Sequence, residues 1–385
     1  MKKFTTFLYI CSMKKKNQQK RREETALLNR LTNRFAVFIF VCATLTGCGG
    51  GNDGLSNSLT DDKTDQETVT SIPDTYEYEL PVVFHVLYKD KNDALQYPSK
   101  KRLELILDSV NALYRRNKMN ITFKMATEDE NGNRLSEAGI IRYAVSFEEY
   151  DETDFLSSTS TYGKYTQNLK KFINIFLFRF SSKDDRESLG ITTLPIMPKE
   201  HPLDGLNDTT STFLSRVRKF TNPWGVCINN KYINRDQPAE KVEPKCVWNT
   251  LAHELGHYLG LHHTFSENGC DDTDYCDDTY SCNYTQYLDD LKYYMDSHIP
   301  RSFFELPKRI DCETAHEYYA DNIMDYMYTL CEVLTKQQRE RTRHVLNYAP
   351  LVPGTKIGET RGSEAIPSEP TNIRPRLSNC PKVRF

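Results

Sequence analysis

Residues 253–263 read His253-Glu254-Leu255-Gly256-His257-Tyr258-Leu259-Gly260-Leu261-His262-His263, and they fall in a segment that reads as a helix through 245–259. Pro244 stands near its first turn, where a missing N–H costs nothing. Histidines at i and i+4 share one helical face and can bind one metal ion. Glu254, between them, is placed to take a proton from a water that such a metal activates. The run extends to HExxHxxGxxH, and Gly260 has a conformational task in it. A helix continued to 263 would carry that histidine away from the metal. Glycine can take a positive φ, end the helix and turn the chain back. The spacing selects His263 over its neighbour His262.

Further on, Asn322-Ile323-Met324-Asp325-Tyr326 resembles the Met-turn of the metzincins, which sets a methionine beneath a three-histidine zinc site. With His263-Thr264-Phe265 and a Cys-containing loop behind the helix, the chain looks most like the pappalysin-type metzincins. Bacterial members are secreted endopeptidases. The resemblance implies zinc held by His253, His257 and His263, with Glu254 as general base and acid. It implies Met324 as the hydrophobic base of the site, and Tyr326 as a side chain able to reach the zinc or the tetrahedral oxyanion. Three neutral imidazoles leave a fourth position open, as in a catalytic zinc site. The implied partner is a protein or peptide substrate. Some relatives cleave beside basic residues through an acid shortly before the Cys that follows the Met-turn. Here that stretch is Met327-Tyr328-Thr329-Leu330-Cys331, so apolar or small residues are expected just after the scissile bond instead. Two other functions compete. A non-catalytic surface binding protein on the same scaffold would be favoured by a lost ligand or base, and none is lost. A zinc hydrolase of a non-protein amide is the other, against which the Met-turn argues.

Working towards the N-terminus, LPVVFHVLY from Leu80 is apolar and β-branched, a strand. Leu103, Ile106, Leu107, Val110, Leu113 and Tyr114 recur at helical spacing. ITFKM (121–125) and the near-continuously apolar FINIFLFRF (172–180) read as strands, the latter buried on both faces. Residues 189–198 and 224–229 are further strand candidates. Residues 264–311 are polar, Cys- and Asp-rich and read as irregular; a last helix follows at about 335–348. This order describes one α/β (α+β) domain over 77–350. As a metzincin-type zincin it implies a twisted mixed sheet and the zinc-binding helix first, then a loop-rich, disulfide-braced half with the Met-turn and a C-terminal helix. Residues 351–385 read as an extended tail that Cys380 could pin. His85, His298, His316 and His344 read as structural. The acidic run Asp271, Asp272, Asp274, Asp277 and Asp278 reads as a solvated loop, with Ca2+ as the alternative, although no EF-hand pattern is present.

The first fifty residues read as an address. Residues 1–34 carry ten basic and two acidic side chains, and 35–47 (FAVFIFVCATLTG) carry none. That apolar run is too short to span a bilayer, which takes about 20 residues, and fits a secretory signal. Leu45-Thr46-Gly47-Cys48 resembles the lipobox of bacterial lipoproteins. It implies a signal peptide over 1–47, lipidation at Cys48, and a place in the cell envelope, at the outer membrane or cell surface. Residues 48–76, rich in Gly, Asp, Ser and Thr, read as a flexible tether. They are short for an inhibitory pro-domain, and no latency device is evident. From Cys48 onward 40 basic face 51 acidic residues, an unfavourable surface for phosphate backbones, so nucleic acid is not an expected partner. Oligomeric state cannot be read.

Of the eleven cysteines, Cys11 and Cys42 leave with the signal and Cys48 takes the lipid. Cys227, Cys246, Cys270, Cys276, Cys282, Cys312, Cys331 and Cys380 remain, an even number in an exported chain, which suggests disulfides. The family resemblance implies Cys270 with Cys312, and Cys331 with either Cys276 or Cys282. Cys227 and Cys246 flank a short excursion and are a plausible local pair.

Overall fold

The computed structural model describes residues 68–157, 161–181, 186–235, 246–267, 269–297, 305–326, 328–358, 373–378 and 383–384. The expected signal segment, Cys48, Pro244, His298, Met327 and Cys380 lie outside them. β1 (Tyr78–Tyr88) is the spine of the molecule. Its alternation sends Leu80, Val82, Phe84 and Val86 into the main core, while Leu87 joins a second cluster and Val83 a third. Ser99 caps α1 (Lys100–Arg116) by accepting from the Arg102 N–H, and the six apolar residues expected to face inward are its buried set. Then come β2 (Ile121–Met125), β3 (Ile140–Ala144), β4 (Glu149–Tyr150), α2 (Glu152–Ser157), β5 (Ile173–Phe180), β6 (Arg186–Glu187), β7 (Gly190–Thr192), β8 (Ile196–Pro198), β9 (Asn207–Thr209), α3 (Ser211–Arg216) and β10 (Val226–Asn229). The rest is α4 (Val247–Tyr258), α5 (Tyr284–Asp296), β11 (Lys308–Ile310), β12 (Glu317–Tyr319), α6 (Lys336–Tyr348) and β13 (Val383–Arg384).

The main sheet has the order β2-β1-β5-β10-β7, with β3 also paired to β1 and β4 to β5. All these pairings are parallel except β10–β7, so the sheet is mixed and its one antiparallel strand lies at an edge. α1 supplies the crossover that a parallel β1–β2 pair requires. It packs on α4, where the Tyr114 hydroxyl donates to the Ala252 carbonyl at 3.0 Å. The opposite face of the sheet buries Phe155, Phe176, Phe178 and Ile191. No described helix is long and apolar enough to cross a membrane.

Several expectations need correction. Within 264–311, read as irregular, lie α5 and β11, which pairs with β12 just beyond. Tyr284, Tyr287 and Leu291 form the buried face of α5, at i, i+3 and i+7. Its apolar stripe is mostly tyrosine, which a polarity reading takes for loop. The folded body also exceeds 77–350. Leu351 and Val352 are in the main core, Ile72 packs on it, and the Arg343 guanidinium donates to the carbonyls of Tyr76 (2.6 Å) and Pro73 (2.8 Å).

Cys270 and Cys312 form a disulfide, as the resemblance implied. Cys227, Cys246, Cys276, Cys282 and Cys331 are not disulfide-bonded. Strand alternation explains Cys227: it points into the cluster of Phe176 and Phe178, on the sheet face away from α4, whose Val247 and Leu251 lie in the main core. Cys282 is buried among Phe265, Tyr284 and Tyr287, and Cys331 lies beside Cys246 instead.

Candidate active site

α4 ends in a Schellman turn. The Gly260 N–H donates to the His257 carbonyl (2.9 Å) and the Leu261 N–H to the Gly256 carbonyl (3.0 Å). Gly260 has φ +90°, and a Cβ there would stand 2.7 Å from Val345 of α6. Gly260 thus takes the positive φ that its place in the motif implied, and close helix packing is a second reason for it. From α6, Arg341 Nε donates to the Gly260 carbonyl at 2.6 Å and fastens the turn.

The turn brings His263 back to the helix. Nε2 of His253 lies 3.0 Å from that of His257 and 3.2 Å from that of His263, and the last two are 3.0 Å apart. Tetrahedral zinc, at about 2.0–2.1 Å from each nitrogen, would set such atoms about 3.3 Å apart. The outer nitrogens are oriented by carbonyls, which can only accept. His253 Nδ1 donates to Ile323 O and His257 Nδ1 to Leu261 O, both at 2.8 Å. Each Nε2 is thereby a lone pair aimed at the shared centre, an arrangement that a cation relieves. Burial pushes the His253 pKa down to about 4. Burial, then mutual repulsion, holds His257 and His263 well below the ordinary range, so all three are neutral, as ligands must be. The residues fit zinc.

Beneath the ligands lies the turn at 322–326. The Asn322 side chain accepts from the Met324 N–H (2.8 Å) and is paired to Gln338, the capping-box residue of α6. Met324 is fully buried, and a Cβ on Gly256 would stand 2.5 Å from its sulfur. The second glycine of the motif helix is thus set by the methionine below it. Gly256→Ala is expected to cost about 1–3 kcal/mol through overpacking. Thermal unfolding of the variant checks this, and an unchanged midpoint would contradict the close approach. The Tyr326 ring stacks on His253 (5.1 Å between centroids) and lies 4.5 Å from His263.

Glu254 is buried, and its neighbours could not be read from sequence. Oε2 accepts from the Thr192 hydroxyl of β7 at 2.6 Å and from Ser378 of the C-terminal segment at 3.4 Å. Burial pushes its carboxyl up to about 8, against the pull of those two hydroxyls. Asp325 and Arg309 were also missed. Arg309 donates to the Tyr326 carbonyl at 3.2 Å and lies 3.5 Å over the Tyr287 ring, electrostatically opposed to Asp325. Nothing in a lone Thr, Ser or Arg marks such roles: Thr192 and Ser378 meet Glu254 across 62 and 124 positions, and Arg309 meets Tyr326 across 17.

The profile of the Peptidase M43 family, described as pregnancy-associated plasma protein-A, matches residues 221–347, which span all of α4, the third ligand and the turn at 322–326. Over residues 221–347 this chain is similar to the pappalysin-type metzincins. It is by class a zinc metalloendopeptidase. Mature mirolysin of Tannerella forsythia, solved with a cleaved peptide, is 25% identical, with 69% of this chain and 90% of that chain covered and a TM-score of 0.48. A promirolysin mutant from the same organism is 23% identical, with 74% and 85% covered and a TM-score of 0.50, a likeness of fold. No curated protein matches the chain in sequence.

Two other histidines make contacts remote from the three-histidine group. His85 is buried between Asn174 (2.9 Å) and Tyr143 (3.3 Å), and His344 reaches the His201 carbonyl. His262 packs against Tyr275 and is not part of the three-histidine group. Among the described residues only His253, His257 and His263 gather as a possible metal group. Asp272 and Asp274 of the acidic run accept instead from Ser266 and from Thr279 and the Cys276 N–H, so Ca2+ finds no support.

Proposed function

We propose that this chain is an exported, lipid-anchored endopeptidase that hydrolyses protein or peptide chains, with Glu254 moving the proton. The observation that supports it is the convergence of three imidazole nitrogens, two of them oriented by carbonyls, beside a buried carboxyl group. Zinc, when bound, supplies Lewis acidity towards a carbonyl and a water. The Glu254 carboxylate accepts the proton of the attacking water and returns it to the departing amine nitrogen. Thr192 holds one carboxylate oxygen, leaving the other for that exchange. Tyr326, ranged against two of the ligands, is the group to steady the oxyanion.

Digestion of a peptide library by purified protein, with and without a chelator, tests activity, metal need and preference together. Cleavage abolished by chelation and restored by zinc is expected. Metal-dependent hydrolysis of non-peptide amides alone would favour the amide-hydrolase reading, and zinc binding without hydrolysis the binding-protein reading. Apolar or small residues should dominate just after the cut. The Thr329 hydroxyl is directed at the carbonyls of Ala320 and Asn322, and Tyr328 packs in the aromatic cluster of Phe265 and Tyr284. Neither supplies the full negative charge that a buried Arg or Lys requires. A profile dominated by Arg or Lys would overturn this.

Export and anchoring rest on the basic, apolar and lipobox succession of 1–48. Cys48→Ser is expected to abolish incorporation of labelled fatty acid and move the protein out of the membrane fraction. Continued labelling of that variant would place the anchor elsewhere.

A further inference from the structure

β7 is the edge strand nearest the site, and both of its sides are occupied. Its inner side pairs with β10. On its outer side runs the C-terminal segment. The Leu194 N–H donates to the Arg376 carbonyl (2.8 Å), the Ser378 N–H to the Thr192 carbonyl (2.8 Å), and the Thr192 N–H to the Ser378 hydroxyl (2.9 Å). Thr193 and Leu377 form an antiparallel bridge. Further along, β13 pairs antiparallel with β6, Val383 opposite Glu187 and Arg384 opposite Arg186. Both stretches share one register, and they flank Gly190. A Cβ on Gly190 would stand 2.7 Å from the Glu254 Cγ, so the catalytic carboxylate lies against this edge. Ser378 itself reaches Glu254.

An extended chain offered to Glu254 needs main-chain partners to hold its register, and an open strand edge provides them. The outer edge of β7 is the ladder beside that carboxylate, and residues 376–378 already fill it. The segment is seated by side chains as well. Ile373 packs on the main core, Leu377 on the Phe176–Phe178 cluster, and the Arg376 guanidinium donates to the Gly205 carbonyl. β7 keeps its β10 partner without it, so the segment is removable in principle.

We propose that the C-terminal residues 373–378, with 383–384, form an autoinhibitory strap, occupying the edge on which an extended polypeptide substrate must pair and leaving before cleavage. The proposal rests on the peptidase reading above and adds a latency device to it. When the competent form is a minor fraction, apparent affinity falls by that fraction.

The test compares full-length protein, a variant ending at residue 372, and full-length Leu377→Asp, whose new charge unseats the strap without touching Glu254. Both variants are expected to cleave a fluorogenic peptide with kcat/KM raised by about tenfold or more, chiefly through KM. A labelled peptide of residues 373–385 is expected to bind the shortened chain and not the full-length one. This binding is read without catalysis. Unchanged kcat/KM in both variants, or a shortened chain that folds with its zinc and binds no strap peptide, overturns the strap. If no form cleaves any peptide while the shortened chain alone binds the strap peptide, the strap stands and the peptidase reading fails.

Discussion

Glu254→Gln is expected to lower kcat/KM for peptide hydrolysis by about 10²–10⁴, the usual range for a lost general base. The substitution is nearly isosteric. Its amide oxygen can still accept the Thr192 hydroxyl that now lies 2.6 Å from the carboxylate. The three histidines are untouched, so zinc content should stay near one per chain. Folding should not suffer, since burial disfavours the ionised carboxylate and the amide carries no charge. What the amide cannot do is accept a proton from water and deliver it to an amine. Hydrolysis rates measured beside metal content separate the two roles. Near-normal turnover by a zinc-loaded Glu254→Gln protein would show that another group is the base.

The largest expected effect on stability comes from Arg309→Met. Arg309 is 2% and Asp325 4% exposed, and burial raises the Asp325 pKa while Arg309 opposes that shift. Removing the guanidinium leaves a buried carboxylate uncompensated, a change that typically costs about 3–5 kcal/mol. It also removes the donor to the Tyr326 carbonyl, on the turn under the zinc site. The sign with pH follows from the raised pKa. Protonating Asp325 removes the buried charge, so the loss should be full at high pH and shrink as pH falls. Denaturant unfolding of Arg309→Met and of Arg309→Met with Asp325→Asn checks this. The double variant should recover part of the loss. A single-variant loss below about 1 kcal/mol, or no recovery, would show that the pair does not brace the turn.

Much of the ligand set was legible because its information is local. His253, Glu254 and His257 lie on one helical turn, and Gly260 bends the chain within three residues of His263. The strands at 78–88, 121–125 and 173–180 and the helix at 100–116 were equally readable, since their apolar residues recur at strand or helix periods. α5 was not, because the same stripe in tyrosine looks polar. Cys270 with Cys312 held, but the other cysteine pairings failed for a different reason. Count and spacing cannot tell which sheet face a side chain takes in three dimensions, and Cys227 takes the wrong one for Cys246.

The linear chain thus set the three-histidine group, the place of Glu254 beside it and the main strands and helices, since each depends on contacts a few residues long. Tertiary packing alone settled what surrounds them. Thr192 meets Glu254 across 62 positions and Ser378 across 124, while Arg309 approaches Asp325 and Tyr326 from another hairpin. Such contacts need only one hydroxyl or one guanidinium at the right point in space. A single residue carries no period or motif, so its partner exists only once the sheet edge, the zinc helix and the C-terminal segment have come together.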